Sequence, residues 1–369
     1  MPPRNRKVRS RLLLVTIVLL GTWLAAQNSS SPPAAGGTQN PAGAPSKPVL
    51  LGWVHDQNPP SPSASPAQDQ TPSQGQAPET KQGDVYVFKK EVEEVTLHAT
   101  VVDDHNRLIT NLARNDFAVF EDGKPQKILS FRREDIPVAI GIVIDNSGSM
   151  RAKRPAVNAA AINLVQASNP QDKVFIVNFN EEYFLDQDYT ASIPKLKDAL
   201  ERIEARGGTA LYDATVASAD HLKKSGDLEK KVLLVVTDGE DNASRESLEQ
   251  AIRRLQDQNG PTVYTIGLLQ EERSKRARRA LREMAEDTGG VAYFPKDLTE
   301  VNAITSQIAH DIRNQYTIGY KSDNAQNSGG FRAVKVDAQA KGYKHLQVRT
   351  RSGYYAGQQR AAATGSGGK

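Results

Sequence analysis

The chain has no cysteine among its 369 residues. Disulfides, thiolate metal sites and cysteine nucleophiles are therefore excluded. Its six histidines are scattered, and no pair has zinc-ligand spacing. There is no P-loop and no Ser-His-Asp sequence context. Acidic residues are absent from residues 1–26, where Arg4, Arg6, Lys7, Arg9 and Arg11 stand. Those five cations exceed the net charge of the whole chain, +4, and without them the balance is −1. A chain so near neutrality lacks the basic footprint of a nucleic-acid binder.

Residues 1–26 have the form of a secretory leader. The basic start precedes an apolar stretch from Leu12 to Ala26, about fifteen residues, short for a membrane span. Two readings stay open: a signal peptide cleaved after Ala25-Ala26, or a retained N-terminal membrane anchor. Either places the folded part outside the cytoplasm, as a periplasmic, cell-surface or secreted protein. With no cysteine behind the leader, a lipoprotein anchor is ruled out. Residues 27–83 are rich in Pro, Ser, Gln, Ala and Gly and poor in aliphatics. Such a segment cannot bury enough surface to offset its ordering entropy, and it reads as a disordered tether. The short run Val49–Val54, with Trp53, is an exception within it. Residues 357–369 read as a disordered tail.

What the chain does have is DNSGSM at 145–150, directly after the apolar run Val138–Ile144. An aspartate at the carboxyl end of a buried strand, with hydroxyls two and four residues on, offers three oxygen ligands from one tight loop. Hard divalent cations such as Mg²⁺ or Mn²⁺ take this kind of ligand. Gly148 stands between the serines, where a sharp turn needs a permissive backbone. Two further elements are of the same type. GGTAL places Thr209 after Gly207 and Gly208, before a helical run. TDGEDN places Asp238 at the end of the apolar run Val232–Val236. In an open parallel α/β sheet, ligands bind outside the carboxyl ends of the strands. Asp145, Ser147, Ser149, Thr209 and Asp238 are expected to gather on that edge.

This order of DxSxS, Gly-Thr loop and TDG aspartate resembles the metal-ion-dependent adhesion site of von Willebrand factor type A domains. The stretch Ala280–Phe294 is similar to the last helix-to-strand passage of such domains, and the resemblance covers about Pro137 to Asn314. It implies that Ser147 and Ser149 bind the metal directly. Asp145, Thr209 and Asp238 then bind directly or through water. One coordination position is left for a partner's Asp or Glu carboxylate. The expected function is therefore cation-dependent docking or adhesion with no reaction performed.

The coarse pattern between 137 and 314 alternates strand and helix. Strands are expected at Val138–Ile144, Lys173–Phe179, Val232–Val236, Thr262–Gly267 and Val291–Phe294. Helices are expected at about Pro155–Ser168, Ile193–Arg206, Ala210–Lys224, Arg245–Gln258, Ser274–Asp287 and Leu298–Arg313. Continuous apolar strands between helices mean a doubly wound, mostly parallel sheet covered on both faces. The resemblance adds an antiparallel edge strand near Phe184–Tyr189.

Short β segments flank this domain, at 84–136 and 315–356. Val95, Leu97, Ala99 and Val101 alternate with polar residues. Phe117–Glu121 and Ile128–Phe131 flank Asp122-Gly123, a hairpin signal. Tyr316–Tyr320, Phe331–Ala338 and His345–Thr350 also read as strands. Neither segment could form a stable core alone. The economical arrangement is one β-sandwich built from both, with the α/β domain inserted into it. The stretches Asp116–Phe131 and Gln315–Ala356, around a type A domain, resemble the VWFA-related domain proteins of the acidobacterial type.

Other functions fit less well. Aspartyl-phosphate phosphatases need a second acid two residues after the nucleophile, and Ser147 stands there. A cytoplasmic role beside an ATPase conflicts with the leader. A scaffold with a structural metal site remains an alternative. The basic run of Arg273, Lys275, Arg276, Arg278, Arg279 and Arg282 reads as a solvated helix face. Glu240 and Asp241 read as exposed loop acids, and Ser225-Gly226-Asp227 as a turn.

Overall fold

The computed structural model describes residues 94–202, 205–225, 228–269, 274–324 and 329–357. The leader, the tether with Val49–Val54, Gly226-Asp227, Arg273 and residues 358–369 lie outside the described residues.

The chain first lays down four strands: β1 (Val95–Asp103), β2 (Phe117–Glu121), β3 (Lys124–Gln126) and β4 (Ile128–Arg132). The hairpin signal at Asp122-Gly123 acts, but on a different partner from the one expected. Both turn residues have positive φ, 49° and 77°. Such a two-residue turn sets Glu121 opposite Lys124, so β2 pairs with β3. The strand at Ile128 then leaves for another sheet, where it lies antiparallel to β11 (Tyr316–Tyr320).

The α/β domain follows. Its strands are β5 (Val138–Asp145), β6 (Lys173–Phe179), β7 (Tyr183–Thr190), β8 (Lys230–Thr237), β9 (Thr262–Gly267) and β10 (Ala292–Tyr293). They form one sheet in the order β10-β9-β8-β5-β6-β7. Only the edge strand β7 is antiparallel to its neighbour. Helices cover both faces, which is why every residue of β5 is buried. On one face, α1 (Arg154–Ala167), α2 (Ile193–Glu201) and α6 (Glu300–Arg313) bring Leu164, Leu196 and Ile308 onto Ile140, Ile142 and Val232. On the other, α3 (Leu211–Leu222), α4 (Leu248–Leu255) and α5 (Lys275–Glu286) bring Leu222, Leu255 and Met284 onto Val143, Phe175 and Leu233. Gly141 leaves room on that second face: a Cβ there would stand 2.6 Å from Leu233 Cδ2 and 2.8 Å from Phe175 Cε1.

Two helices, α2 and α4, fall furthest short of their sequence pattern. α2 ends at Glu201, because Arg206 donates its backbone N–H to Asn146 O at 2.8 Å and the chain turns into the glycine loop. α4 starts at Leu248, not Arg245. Ser247 caps it, accepting from Gln250 N at 3.2 Å while Gln250 Oε1 accepts from Ser247 N at 2.7 Å.

After β11 the chain adds β12 (Gly330–Ala338), β13 (Leu346–Arg349) and β14 (Gly353–Ala356). These complete two antiparallel sheets, β13-β1-β11-β4 and β14-β12-β2-β3. Each sheet takes two strands from either side of the α/β domain. Between them lies a separate core with Leu97, Val101, Val119, Ile318, Val334 and Tyr354. Glu121 is fully buried in it and accepts from Tyr320 Oη at 2.6 Å and Tyr354 Oη at 2.9 Å. Burial opposes the charge on Glu121, but these hydrogen bonds, with those from Ser322 and Asn324, hold its pKa below the usual value.

The sandwich meets the α/β domain at the amino ends of the central strands. Arg351 donates to Gln258 O at 2.6 Å and to Gly260 O at 3.1 Å, just before β9. Arg132 Nη2 donates to both carboxylate oxygens of Glu229, just before β8, at 2.8 Å. The carboxyl ends of those strands are left on the far side.

Candidate metal centre

Strand order reverses between β5 and β8, and ligand sites of such sheets lie at this switch point. Asp145 ends β5, and Asp238 follows β8 by one residue. The Asp145 side chain is fully buried. Its Oδ1 accepts from Ser147 N at 2.7 Å, and its Oδ2 accepts from Thr237 Oγ1 at 2.6 Å. Burial pushes the Asp145 pKa up and the Asp238 charge adds to this. The bonds from Thr237 and Ser147 only partly offset it.

The loop after Asp145 makes a short 3₁₀ turn, Gly148–Met150, with Met150 packed in the core. This turn places Ser147 Oγ 3.2 Å from Ser149 Oγ. Ser149 Oγ in turn donates to Asp238 Oδ1 at 2.7 Å. The hydroxyls and carboxylates of two separated loops are thus in one connected group. Lys153, at the start of α1, puts its ammonium against Asp238 Oδ2.

Thr209 comes from the third loop. Gly207, with φ at 76°, makes the turn, and its carbonyl accepts from Gly148 N at 3.3 Å. Asn242 clamps Thr209 from the other side: its Oδ1 accepts from Thr209 N at 2.9 Å, and its N donates to Thr209 O at 3.0 Å. The hydroxyl reaches the space over Gly239. A Cβ on that glycine would stand 3.2 Å from Thr209 Oγ1 and 3.9 Å from Asp145 Oδ2. All five residues picked from the sequence therefore face one small region.

Four further residues shape it. Thr237, Asn242 and Lys153 touch the five directly, as above. Arg154 is buried beside them, donating to Asn178 Oδ1 at 2.8 Å and to Leu200 O at 3.2 Å. Desolvation lowers its pKa, opposed by the charges of Asp186 and Asp145. Thr237 and Asn242 lie inside TDGEDN and could have been read from it. Lys153 and Arg154 carried no local signal. Asp241 is occupied elsewhere, its Oδ2 accepting from Tyr212 N at 3.1 Å at the head of α3. Glu240 lies 3.7 Å from Arg276.

The donor set is oxygen only, two carboxylates and three hydroxyls, which suits Mg²⁺ or Mn²⁺. Asp238 already holds a cationic group. The residues fit a hard divalent ion. One other group of possible ligands occurs among the described residues, Asp103, Asp104 and His105. It sits in the turn after β1, where Asp103 is committed to Arg107, accepting from its Nε at 2.8 Å.

No curated protein matches the chain by sequence. Among solved structures, the von Willebrand factor domain of a type V pilus tip protein from Porphyromonas gingivalis is similar at 14% identity. That match has a TM-score of 0.43 and covers 48% of this chain and 95% of that one. A von Willebrand factor type A protein from Catenulispora acidiphila is 14% identical with a TM-score of 0.42. It covers 73% of this chain and 74% of its own. An aerotolerance-related membrane protein from Bacteroides fragilis is 20% identical with a TM-score of 0.39, over 47% of this chain and 98% of that one. The family model for the von Willebrand factor type A domain matches residues 139–307. The inserted α/β unit is thus a von Willebrand factor type A domain.

Proposed function

We propose that this protein is an exported, divalent-cation-dependent protein-binding module that docks an acidic group of a partner. The observation that carries the reading is the convergence of Asp145, Ser147, Ser149, Thr209 and Asp238 at one switch point. Five oxygen-bearing side chains from three loops meet there, on the edge away from the sandwich. When bound, Mg²⁺ or Mn²⁺ would supply a Lewis-acidic positive charge that attracts a carboxylate.

The chain's own residues do the rest. Thr237 and the Ser147 amide fix the Asp145 carboxylate, so its oxygens keep one orientation. Asn242 fixes the backbone of Thr209. The 3₁₀ turn at Gly148–Met150, anchored by the buried Met150, sets both serine hydroxyls on one side. Such preorganisation removes ordering cost from the binding step. The partner's contribution is one Asp or Glu side chain. Export follows from the leader, which lies outside the described residues. No helix among the described residues is long and apolar enough to cross a membrane.

The test is capture from envelope extract with Mg²⁺ and with EDTA, comparing wild type with Asp145→Ala, alongside calorimetry with each ion. We expect capture that needs the ion and is lost in the variant. Ion binding without ion-dependent capture would favour a scaffold with a structural metal. Absence of binding at millimolar Mg²⁺ and Mn²⁺ would overturn the metal reading and leave the fold untouched.

A further inference from the structure

We propose that Lys153 is a tethered counter-ion that competes with the divalent cation for Asp238 and so sets the concentration at which the site fills. The inference rests on the metal-binding reading above. Its basis is the arrangement of charge at the start of α1. Two carboxylates, Asp145 and Asp238, sit in the site with side chains almost wholly buried. Two consecutive cations, Lys153 and Arg154, face them. Arg154 is shared between Asp186 and Asp145, so Lys153 is the cation in direct contact with Asp238.

The two cations differ in freedom. Arg154 is 6% exposed, and its guanidinium is held by Asn178 Oδ1 and Leu200 O. It cannot leave. The Lys153 backbone is also fixed, its N–H donating to Met150 O at 2.8 Å and its carbonyl accepting from Val157 N at 3.1 Å. Its side chain is different: 21% exposed, and among the described residues its ammonium is bonded to Asp238 Oδ2 alone. Four methylenes of reach let the ammonium swing to water while the helix start stays in place.

Both oxygens of Asp238 are already in contact. Oδ1 takes the Ser149 hydroxyl, and Oδ2 takes Lys153. A hydroxyl can rotate its proton away and turn a lone pair inward. An ammonium has no lone pair, so it must withdraw as a whole. Two cations on one carboxylate also repel strongly where water is scarce. A divalent ion at Oδ2 has to displace Lys153, and one at Oδ1 has to bind against its charge, so by either route the pair lowers the apparent affinity.

The test uses the full chain with Mn²⁺ as the probe. Lys153→Met keeps the length and removes the charge. It should bind Mn²⁺ about tenfold more tightly than wild type, as expected for removing a competing charge-assisted hydrogen bond. Lys153→Arg keeps the charge and should stay near the wild-type constant. In EDTA, Lys153→Met should melt below wild type, because Asp238 loses its counter-charge next to Asp145. In saturating Mn²⁺ that gap should close. Equal or weaker Mn²⁺ binding by Lys153→Met would overturn the competition while leaving metal binding in place. Absence of Mn²⁺ binding by both proteins would overturn both.

Discussion

Burial sets the ionisation of single residues here, and the consequences reach beyond the candidate site. Asp172 is 4% exposed, and its carboxyl caps two backbone amides, accepting from Val138 N at 2.8 Å and from Asn169 N at 3.1 Å. Burial pushes its pKa up to about 6, from 3.8, with those two bonds resisting. The folded state thus holds this proton more tightly than the unfolded chain does. Stability from this group is full below about pH 4 and declines as pH rises through about 6. Asp186 behaves the same way, raised to about 6 by burial. Asp172→Asn removes the titration, so the fall in stability between about pH 4 and 6 should become shallower. Denaturant melts at several pH values would check this. An unchanged slope would mean that the Asp172 carboxyl is solvated.

At the scale of elements, capping and side-chain volume decide where strands and helices stop. α4 has eight residues and starts from the Ser247–Gln250 capping box. Ser247→Ala should cost about 1 kcal/mol, seen as a lower denaturation midpoint with unchanged slope. Gly141→Ala should cost more, about 1–3 kcal/mol, because its methyl group would press on the Phe175 ring and Leu233 in a sheet closed on both faces. A neutral outcome for either would show that the local packing relaxes around the change.

The same elements show what could be read from the chain alone. β6 and β9 are legible to the residue because runs rich in β-branched and aromatic residues begin directly after Asp172 and Pro261. The candidate site was legible because its residues sit at strand ends, where DxSxS, Gly-Thr and TDG stand out locally. The partner of β2 was not. Both Lys124–Gln126 and Ile128–Arg132 follow the turn, and only the positive φ at Asp122 and Gly123 selects the first. β14 is not legible, because its four residues, Gly353–Ala356, carry no periodicity of their own and are ordered by pairing with β12. Lys153 is not legible for a related reason: its contact is with Asp238, 85 positions away.

Among the described residues, the candidate site lies at the carboxyl ends of the type A strands and the sandwich at their amino ends. The chain enters the type A domain from β4 and leaves it into β11, and those two strands are hydrogen-bonded neighbours. This arrangement couples the two parts. β11 lies between β1 and β4, and β12 lies between β2 and β14. Truncation after Asn314 would remove β11 to β14, separating β1 from β4 and leaving β2 with β3 alone, and would expose Leu97, Val101 and Val119. The truncated chain should bind a hydrophobic dye and melt broadly, whereas the full chain should melt in one step. Metal linkage gives a sharper test of the same coupling. An ion held only by the native state adds about 2.7 kcal/mol at a hundredfold excess over its dissociation constant. If sandwich and type A domain unfold together, Mg²⁺ bound at the far edge should also slow hydrogen exchange at Tyr316–Tyr320, which reach no site residue but sit in the first sandwich sheet. Asp145→Ala should abolish that protection. Protection confined to β5 and β8, with β11 unaffected by the ion, would show instead that the sandwich opens independently of the domain it carries.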